Sequence, residues 1–437
     1  MVRAGFTQTE FDEIPKDWTK ISIGSDASLN ARIGWQALTT NEYETSGDYY
    51  LVTGTDFIGG RVNWDTCHFI SKWRYSQDKK IQLKNGDVLI TKDGTIGKAG
   101  YVEDLYLPAT LNSGVFVIRP LENKFVPLFL YYTLTSRVFD EFLNRITAGS
   151  TITHLYQKDF VNFEFYAPEV KEQEEIAEAL SDVDGLISAL EKQIAKKKDI
   201  KAAAMQQLLT GKKRLPGFGG GNGYKQTEFG LIPEDWEIFD LADVMQSGLN
   251  SIKIGPFGSA LKAEFLTKTG YKVYGQENVF ESNMELGSRY ICDERYQKLK
   301  SCKLECGDFL ISMMGTIGKT FIVPHNFDPG IMDSHLIRLK INSTKLCPNL
   351  LTYLFKSPII FKQIDQLSVG GIMDGLSSKI IKSLLLPLPR IEEQRAIAEI
   401  FMSMDDELKS LIARLTKTKM IKQGMMQELL TGKTRLI

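Results

Sequence analysis

The sequence predicts an α/β (α+β) protein with two copies of a globular domain, joined by a long antiparallel two-helix coiled coil in a pseudo-two-fold internal repeat. The first observation is a repeated motif: QTEFDEIPKDW at 8–18 returns as QTEFGLIPEDW at 226–236. The second is a longer repeat, because residues 171–215 match 392–436 at 20 of 45 positions without a gap. The third is a heptad-like apolar spacing within that repeat. Repeats on this scale indicate a duplicated structural unit.

The repeat divides the 437-residue chain into five segments. They are a first globular domain at 1–168, a first long helix at 169–213, a Gly-rich joint at 214–223, a second globular domain at 224–390 and a second long helix at 391–437. The joint contains PGFGGGNG, whose composition is typical of a flexible connection.

Short β-runs followed by a helical stretch predict a mixed α/β fold for each domain. The first domain has GDVLIT (86–91) and SGVFVIRP (113–120) before an apolar helical stretch at 126–146. The second domain repeats this order with GDFLIS (307–312) and a helical stretch at 348–367. Strand-like and helix-like periods thus alternate in the same order twice.

Apolar residues spaced 4,3,4,3,4 form a seam along each long helix, which is the coiled-coil pattern. The seam residues are Ile176, Leu180, Val183, Ile187, Leu190 and Ile194 in the first helix, and Ile397, Phe401, Met404, Leu408, Leu411 and Leu415 in the second. Two matched seams favour pairing of the helices with each other. An amphipathic helix packed on its own globular domain is the other interpretation.

The charges predict that the helices pair antiparallel. Each helix begins with acidic residues and ends with lysines and arginines, as in EEQRAIAE followed later by KTKMIK in the second copy. An antiparallel pair sets each acidic half beside a basic half, whereas a parallel pair does not. Part of this gradient also complements the helix dipoles.

The pentapeptide GTIGK occurs twice and resembles the end of a nucleotide-binding loop. A P-loop requires an earlier glycine, but Lys92 and Met313 stand at that position in the two copies. The residues after Lys319 are Thr-Phe-Ile-Val-Pro, which favour a strand over a helix. The sequence therefore predicts a β-hairpin turn at each copy.

Composition narrows the class of protein. The net charge of −1 excludes a uniformly polycationic binder, although it allows local basic patches. The five scattered cysteines predict reduced thiols, and Cys302 with Cys306 lacks the histidine spacing of a zinc site. The absence of a long apolar run or a signal-peptide pattern predicts a cytoplasmic protein that does not contact a membrane.

The predicted rod suggests a DNA reader for a split site. Roughly 40 helical residues at about 1.5 Å each span ~60 Å, with a domain at each end, and duplex DNA has a similar two-fold symmetry. Arginine and lysine can bond guanine, and glutamine can bond adenine. The candidates for base contact are Arg32, Gln36, Arg61, Lys72 and Arg74 in the first domain and Lys253, Lys262, Arg289, Arg295 and Lys298 in the second, with Lys92, Lys98 and Lys319 for phosphates. Any one of them can also be an ordinary surface charge.

The motif order resembles the specificity subunit of type I restriction–modification systems. The resemblance rests on IPKDW/IPEDW, GD-x-LI…GTIGK, the EQ–IA helix start and LLTGKKRL/LLTGKTRL, and it covers nearly the whole chain. It implies a non-catalytic scaffold whose two target-recognition domains each read half of an asymmetric bipartite DNA site. It further implies two DNA adenine methyltransferase subunits as partners, with motor–nuclease subunits in the full complex.

The resemblance also implies where the cofactors bind. S-adenosylmethionine is expected on the methyltransferase, and ATP with Mg on the motor–nuclease, with no cofactor on this chain. The repeated Gln173/Gln394 and Lys212/Lys433 are expected to be exposed and to face the methyltransferase. Two other readings stay open at this point: a stand-alone, repressor-like DNA-binding protein, and an enzyme whose site the motifs do not show.

Overall fold

The computed structural model describes residues 3, 5–8, 13–33, 38–147, 154–219, 223–368 and 376–436. The chain forms two compact units. Unit 1 comprises Met1–Lys192 and Ala413–Ile437, and unit 2 comprises Gln193–Ile412. Each unit therefore combines one globular domain with the first part of its own long helix and the last part of the other one. The five segments predicted from the repeat do not coincide with these units, because both helices are shared between them.

Unit 1 begins with the first globular domain. Its strands are β1 Phe6–Gln8, β2 Glu13–Pro15, β3 Thr19–Ser22, β4 Ala27–Ala31, β5 Tyr50–Val52, β6 Phe57–Ile58, β7 Arg61–Val62, β8 His68–Phe69, β9 Val88–Thr91, β10 Ala99–Tyr101, β11 Ala109–Leu111, β12 Val115–Pro120 and β13 Glu164–Ala167. Its helices are α1 Ile23–Asp26, α2 Lys72–Ser76, α3 Pro127–Leu134, α4 Arg137–Thr147, α5 Gln157–Phe160 and the long α6 Val170–Leu208, which continues into unit 2.

The central sheet of unit 1 has six strands in the order β4-β12-β9-β10-β7-β6, and a second sheet has three in the order β11-β5-β8. Strands β9 and β12 are buried on both faces. Val88 and Ile90 point into the core shared with the helices, whereas Leu89 points into the core between the sheets. Strand alternation thus makes one strand serve two cores.

Unit 2 contains the second globular domain. Its strands are β14 Tyr224–Thr227, β15 Gly230–Pro233, β16 Glu237–Asp240, β17 Ile252–Ile254, β18 Leu266–Thr267, β19 Tyr271–Tyr274, β20 Tyr290–Ile291, β21 Phe309–Ser312, β22 Thr320–Ile322, β23 Gly330–Met332, β24 Leu336–Leu339 and β25 Leu385–Leu388. Its helices are α7 Gln276–Phe280, α8 Asp293–Lys298, α9 Pro348–Phe355, α10 Pro358–Ser368, α11 Ser378–Lys382 and the long α12 Ile391–Leu429, which continues into unit 1.

The sheets of unit 2 are built differently. One has four strands in the order β17-β24-β21-β22, and the other has four in the order β18-β20-β19-β23. Each helical stretch predicted as one element is two helices in both units. Pro358 starts the second helix in unit 2, because proline is tolerated in the first turn of a helix and not in its interior.

The third and the last strand of each domain pair with each other just before the long helix. In unit 1, β3 pairs antiparallel with β13, and in unit 2, β16 pairs antiparallel with β25. Each long helix has 39 residues, about 58 Å at ~1.5 Å per residue. Helix α6 ends at Leu208, short of the predicted 213, because Gly211 has φ of +68° and turns the chain out of the helix.

The predicted antiparallel pairing of the helices is found inside each unit. In unit 1, Lys422 pairs with Asp184 at 2.6 Å and Lys419 pairs with Glu191 at 2.6 Å. The residue number falls on one helix as it rises on the other. In unit 2, Lys197 pairs with Glu407 at 2.7 Å, and Lys201 pairs with Asp405. The predicted fold class is confirmed.

The twelve seam positions are buried or half-buried. The first two of each seam serve the core of the globular domain: Ile176 and Leu180 in unit 1, and Ile397 and Phe401 in unit 2. Both interpretations of the apolar spacing therefore apply, each to a different stretch. The helix begins as an amphipathic element on its own domain and continues as a partner of the other helix.

Candidate nucleic-acid interface

The first GTIGK copy is the loop of the β9–β10 hairpin. The Thr91 carbonyl accepts a hydrogen bond from the Gly97 amide at 2.9 Å, and the Thr91 hydroxyl accepts one from the Lys98 amide at 2.9 Å. These amides are used inside the loop and do not form a phosphate cradle. The hairpin prediction is confirmed.

The second copy is the loop of the β21–β22 hairpin and is closed in the same way. The Ser312 carbonyl accepts from the Gly318 amide at 3.0 Å, and the Ser312 hydroxyl accepts from the Lys319 amide at 3.0 Å. Gly318 has φ of +80°, a conformation that favours glycine. Because a strand follows the loop in place of a helix, the nucleotide-binding interpretation does not fit this site.

The three loop lysines proposed for phosphate contact differ in how they are held. The Lys98 ammonium donates to the Gly54 carbonyl at 3.1 Å. The Lys92 ammonium lies 5.2 Å from the centre of the Phe116 ring. The Lys319 side chain is exposed on the second loop. Lys319 is therefore the most accessible of the three for an anion.

Arg32 does not fit the prediction of a base contact. It is only 2% exposed, its Nε donates to the Leu111 carbonyl at 2.9 Å, and a terminal nitrogen donates to the Thr110 hydroxyl at 3.4 Å. Its guanidinium links β-elements inside the domain, and burial lowers its pKa. Gln36 lies outside the described residues.

Of the other first-domain candidates, Lys72 is exposed, and Arg61 and Arg74 are half-buried. Arg61 pairs with Glu103 at 3.0 Å, and its guanidinium lies 4.8 Å from the Tyr131 ring centre. Lys72 is exposed at the start of α2. Arg74 pairs with Glu42 and stacks 4.9 Å from the ring centre of Trp73, which is 67% exposed.

Trp73 is a candidate that the sequence reasoning missed. It stands between Lys72 and Arg74 in SKWRY, where an aromatic side chain interleaved with basic ones is a recognisable signal for nucleic-acid contact. A large exposed tryptophan beside two cations is unusual for a plain solvated surface. In the second domain, Phe257 is also largely exposed.

A surface cavity of about 470 Å³ adjoins the first GTIGK loop. It is lined by Lys92, Asp93, His154 and Tyr156, with the buried Arg32 at its wall. The His154 ring nitrogen Nδ1 contacts the Asp93 carboxylate. The cavity thus brings Lys92 together with polar and aromatic side chains that follow α4 in the chain.

Two second-domain candidates are engaged in internal contacts. Arg289 pairs with Asp333 at 2.9 Å and with Glu277 at 3.1 Å. Arg295 donates to the Ala260 carbonyl, and its guanidinium lies 3.7 Å from the Phe265 ring centre. These contacts hold the side chains of Arg289 and Arg295 in place. Only the N–H donors that the contacts leave unused are available to bind DNA.

The three remaining candidates of the second domain are lysines. Lys262 is exposed and lies 3.5 Å from Glu264, and Lys298 is exposed on α8 with Glu294 at 2.6 Å. Lys253 is half-buried on β17, opposite Arg338 of β24. Exposed pairs of this kind contribute little to stability, so the two exposed lysines can exchange their partner for a phosphate.

The repeated motifs meet in an arginine clasp in each unit. In unit 1, Arg435 from the end of α12 donates to both oxygens of Glu172, at 2.7 and 2.6 Å, and pairs with Asp17 at 2.9 Å. In the same unit, a Cβ on Gly432 would lie 2.4 Å from Pro15. The LLTGK-x-R end of one helix therefore closes against the IP-x-DW start of the other copy.

Unit 2 contains the same clasp. Arg214 from the end of α6 donates to both oxygens of Glu393 at 2.7 and 2.6 Å and to Asp235 at 2.8 Å. The hydrogen bonds that Arg214 donates to Asp235 and Glu393 raise its pKa. A Cβ on Gly211 would lie 2.5 Å from Pro233. Each clasp is a bidentate arginine–carboxylate pair with one nearly buried acid.

Gln173 and Gln394 correct the expectation that they are exposed. Each is only 1% exposed. The Gln173 Oε1 accepts from the Val126 amide at 2.8 Å, and the Gln394 Oε1 accepts from the Cys347 amide at 2.9 Å. Their side-chain oxygens accept hydrogen bonds from backbone amides at the start of α3 and of α9. Both glutamines therefore stabilise the fold and cannot face a partner.

Other identical positions of the repeat are exposed in both copies. They are Glu178/Glu399, Lys196/Lys417, Lys198/Lys419, Ile200/Ile421 and Gln206/Gln427. Ile200 is 43% exposed and Ile421 is 48% exposed. An apolar residue retained twice on a solvent-facing helix surface is not explained by the core of either unit.

All five cysteines are free thiols, as the sequence predicts. Among the described residues, no group of three or more His, Cys, Asp or Glu side chains is arranged to hold a metal ion. Across the same part of the chain, every helix is too short or too polar to cross a lipid bilayer.

Two recognition domains held on a frame of paired long helices define the class of a DNA-specificity subunit, which carries no catalytic function of its own. The domain model for the type I restriction modification DNA specificity domain matches the chain twice, at residues 15–200 and 233–418. The chain belongs to this family.

Relatives and solved structures agree with this assignment. The chain is 26% identical over 435 residues to the type I restriction enzyme MjaVIII specificity subunit of Methanocaldococcus jannaschii, covering 97% of this chain and 94% of the relative. It is also 26% identical to the putative MjaX specificity subunit of that organism, covering 99% of this chain and 97% of the relative. The fold is similar to the type I S subunit from M. genitalium, with a TM-score of 0.58, 16% identity and coverage of 97% and 98% of the two chains.

Proposed function

We propose that this chain is the DNA-recognition subunit of a type I restriction–modification complex, in which each globular domain reads one half of an asymmetric bipartite site. The observation that carries the proposal is the contrast within the repeat. The clasps are the same in both units, whereas the sheets that bear the candidate contacts differ in strand number and order. Two globular domains with different sheets, each closed by the same kind of clasp, suit two different half-sites.

The proposed base-reading surfaces combine exposed and half-buried cations with neighbouring aromatic side chains. In the first domain they are Lys72, Arg74 and Trp73 on α2, with Arg61 near Tyr131. In the second domain they are formed by Lys262, Arg295 and Lys298, with Lys253 and Arg289 beside them. Lys92, Lys98 and Lys319 contact phosphates and set the register on the duplex. Arg32 is left out of this surface because it is buried.

We propose that the long helices set the gap between the half-sites and bind two copies of a DNA adenine methyltransferase. The exposed Lys196 and Ile200, one helical turn apart, recur as Lys417 and Ile421. Two equal surfaces suit two equal partners, and an apolar side chain flanked by a cation suits a partner with a small apolar pocket and carboxylates beside it.

The chemistry of the complex lies with the partner subunits under this proposal. The methyltransferase holds S-adenosylmethionine, and motor–nuclease subunits in the full complex use ATP and Mg. The chain works in the cytoplasm, where the DNA and these partners lie.

Methylome sequencing of a host that carries this gene with its candidate methyltransferase tests the proposal. We expect an N6-methyladenine motif of two short half-sites around a fixed degenerate gap, and we expect that motif to vanish when the gene is deleted. A motif that persists after deletion contradicts the specificity role. Tight site-specific binding by the purified chain without any methylation supports the stand-alone binder instead.

A further inference from the structure

A cluster of three polar residues joins the first globular domain to both long helices in unit 1. The Tyr132 hydroxyl of α3 donates to Asp184 Oδ2 of α6 at 2.9 Å. The Lys422 ammonium of α12 lies 2.6 Å from Asp184 Oδ1 and 5.4 Å from the centre of the Tyr132 ring. One carboxylate thus links the domain, its own helix and the helix of the other copy.

The same cluster occurs in unit 2, with every residue 221 positions away from its counterpart, as in 132 and 353. The Tyr353 hydroxyl of α9 donates to Asp405 Oδ2 of α12 at 2.8 Å. Lys201 of α6 pairs with Asp405, and its ammonium lies 5.1 Å from the Tyr353 ring centre. We name these two sets the Tyr-Asp-Lys clusters.

The apolar seam cannot by itself choose one register for the helices. Beyond the first two residues of each seam, which pack in the domain cores, the seam side chains are aliphatic or methionine at heptad spacing. Sliding one helix by seven residues, about 10 Å, therefore sets apolar positions against apolar positions again. Polar groups at sheltered positions are the best-attested device for selecting one register among such alternatives.

The Tyr-Asp-Lys clusters penalise both seven-residue shifts. A shift in one direction sets Lys422 against Ala177 and Lys201 against Ala398, and both alanines are buried. A shift in the other direction sets Lys201 against Ile412 and Lys422 against Glu191, so that one lysine finds a new acid while Asp184 and Asp405 both lose their lysines. Either shift takes Lys422 away from Asp184 and Lys201 away from Asp405, whereas each carboxylate stays with the tyrosine of its own domain.

Both tyrosine rings are buried, and each hydroxyl holds the Asp carboxylate that the lysine of the other helix meets. Burial raises the pKa of Tyr132 and of Tyr353, so that each hydroxyl stays protonated and able to donate. A shifted register therefore leaves two sheltered carboxylates without their cations, which is costly.

We propose that the two Tyr-Asp-Lys clusters, together with the clasps at the helix ends, fix the register of the long helices and thereby determine the number of base pairs between the two half-sites. The inference rests on the proposed function, in which the helices set that gap. It assigns Tyr132, Asp184 and Lys422, with Tyr353, Asp405 and Lys201, as positioning residues for spacer specificity.

The first test measures spacer selectivity in the reconstituted complex of this chain with its methyltransferase. The DNA substrates carry both half-sites at the native gap and at gaps about three base pairs longer and shorter, because a slide of about 10 Å spans about three base pairs at ~3.4 Å each. We expect the double variant Lys201→Met/Lys422→Met to lose about tenfold of its preference for the native gap, which is the factor produced by ~1.4 kcal/mol. The double Lys→Arg variant keeps the charge and should retain the preference.

The matched control removes two other lysines that bridge the same helices. Lys197→Met/Lys419→Met breaks the more exposed pairs with Glu407 and Glu191 and should leave the preference unchanged. If the cluster variant methylates more slowly but keeps its native-gap preference, the clusters only stabilise the fold and the proposal is wrong.

The second test needs neither DNA nor methyltransferase. In a full-length chain with Cys292→Ser and Cys306→Ser, the pair Glu191→Cys/Lys419→Cys reports the native register, and Glu191→Cys/Met426→Cys reports a seven-residue shift. We expect disulfide formation at the shifted pair to rise about tenfold in the Lys201→Met/Lys422→Met background. A shifted pair that stays reduced there overturns the register role. If disulfide formation at the shifted pair rises but the host shows no bipartite methylation, the register role stands and the proposed function is rejected.

Discussion

The two units close their frames alike but build their reading surfaces differently. The Arg435–Glu172 pair and the Arg214–Glu393 pair have the same two bond lengths, 2.7 and 2.6 Å. The sheets differ, with six and three strands in unit 1 and four and four in unit 2. A clasp residue bonds to two or three structural elements at once, so a change at that residue alone breaks all of these contacts. A strand at the surface is not constrained in this way. The clasps therefore serve the function that both units share, and the differing sheets of the globular domains serve the function specific to each unit.

Removing a clasp arginine should be the most damaging change and should affect the two units equally. Arg435→Ala leaves the Glu172 side chain, 5% exposed, as a carboxylate without its cation, and Arg214→Ala does the same to Glu393. We expect each to lower the free energy of unfolding by about 3–5 kcal/mol. Denaturant unfolding measures this.

The exposed Lys212→Ala serves as the control for the clasp variants, because it removes a nearby cation from the end of α6 without touching the clasp. It should change stability by less than about 0.5 kcal/mol. Clearly unequal losses for Arg214→Ala and Arg435→Ala would show that the two frames are not equivalent.

The glycines that follow the long helices offer a second way to disrupt the contact between a helix end and the start of a globular domain. Gly432 has φ of +69°, and a Cβ there would lie 2.4 Å from Pro15. We expect Gly432→Ala to cost about 2 kcal/mol or more in unfolding free energy, because strained backbone and a clash add together. The matched change Gly424→Ala, earlier on the same helix with open space around it, should stabilise by about 0.5–1 kcal/mol. Effects of the same sign at both glycines would contradict this account.

Changes at the proposed base-reading surfaces should instead separate the two units. Lys72→Ala in the first domain and Lys262→Ala in the second should each weaken binding and relax specificity at a single half-site, by about 1–3 kcal/mol. Binding to DNAs mutated in one half-site at a time measures this. Lys319→Ala should weaken binding to all these DNAs and reduce the salt dependence by about one counterion. If Lys72→Ala relaxes both half-sites equally, the assignment of one domain to one half fails.

The sequence was informative where structure is local and silent where it is long-range. Heptad spacing and charge order predicted two long antiparallel helices, and the residues after GTIGK predicted a hairpin. The clasps were seen only as repeated motifs, because Arg435 and Glu172 are 263 positions apart and nothing local links them.

The residues of the candidate DNA-binding site were predicted from their amino-acid type, and the amino-acid type alone does not tell whether a side chain is buried. Arg32 lies in a polar stretch without periodicity, so nothing marked it as a buried donor to Leu111 and Thr110. Gln173 and Gln394 looked exposed for the same reason. Trp73 was overlooked although its basic neighbours were named, and the alternation of ring and charge was the usable signal.

The smallest effect concerns acid and probes the Tyr-Asp-Lys cluster of unit 2. Burial of Asp405 opposes ionisation, but hydrogen bonds from Lys201 and Tyr353 outweigh it and lower the pKa of Asp405. A lowered folded-state pKa stabilises the fold above the unfolded pKa of about 3.9, and that contribution is lost as the pH falls through the folded value. Asp405→Asn should therefore be less stable than the parent at neutral pH, with a difference that narrows below about pH 4.

Melting temperatures of parent and variant across this pH range measure the effect. Asp406→Asn, at the exposed neighbouring position, removes an equal charge outside the cluster and should follow the parent at every pH. A constant gap between parent and Asp405→Asn would mean that the carboxylate contributes by packing and not by its charge. A gap that closes with acid ties the stability of this frame contact to the ionised Asp405, as the pairing with Lys201 requires.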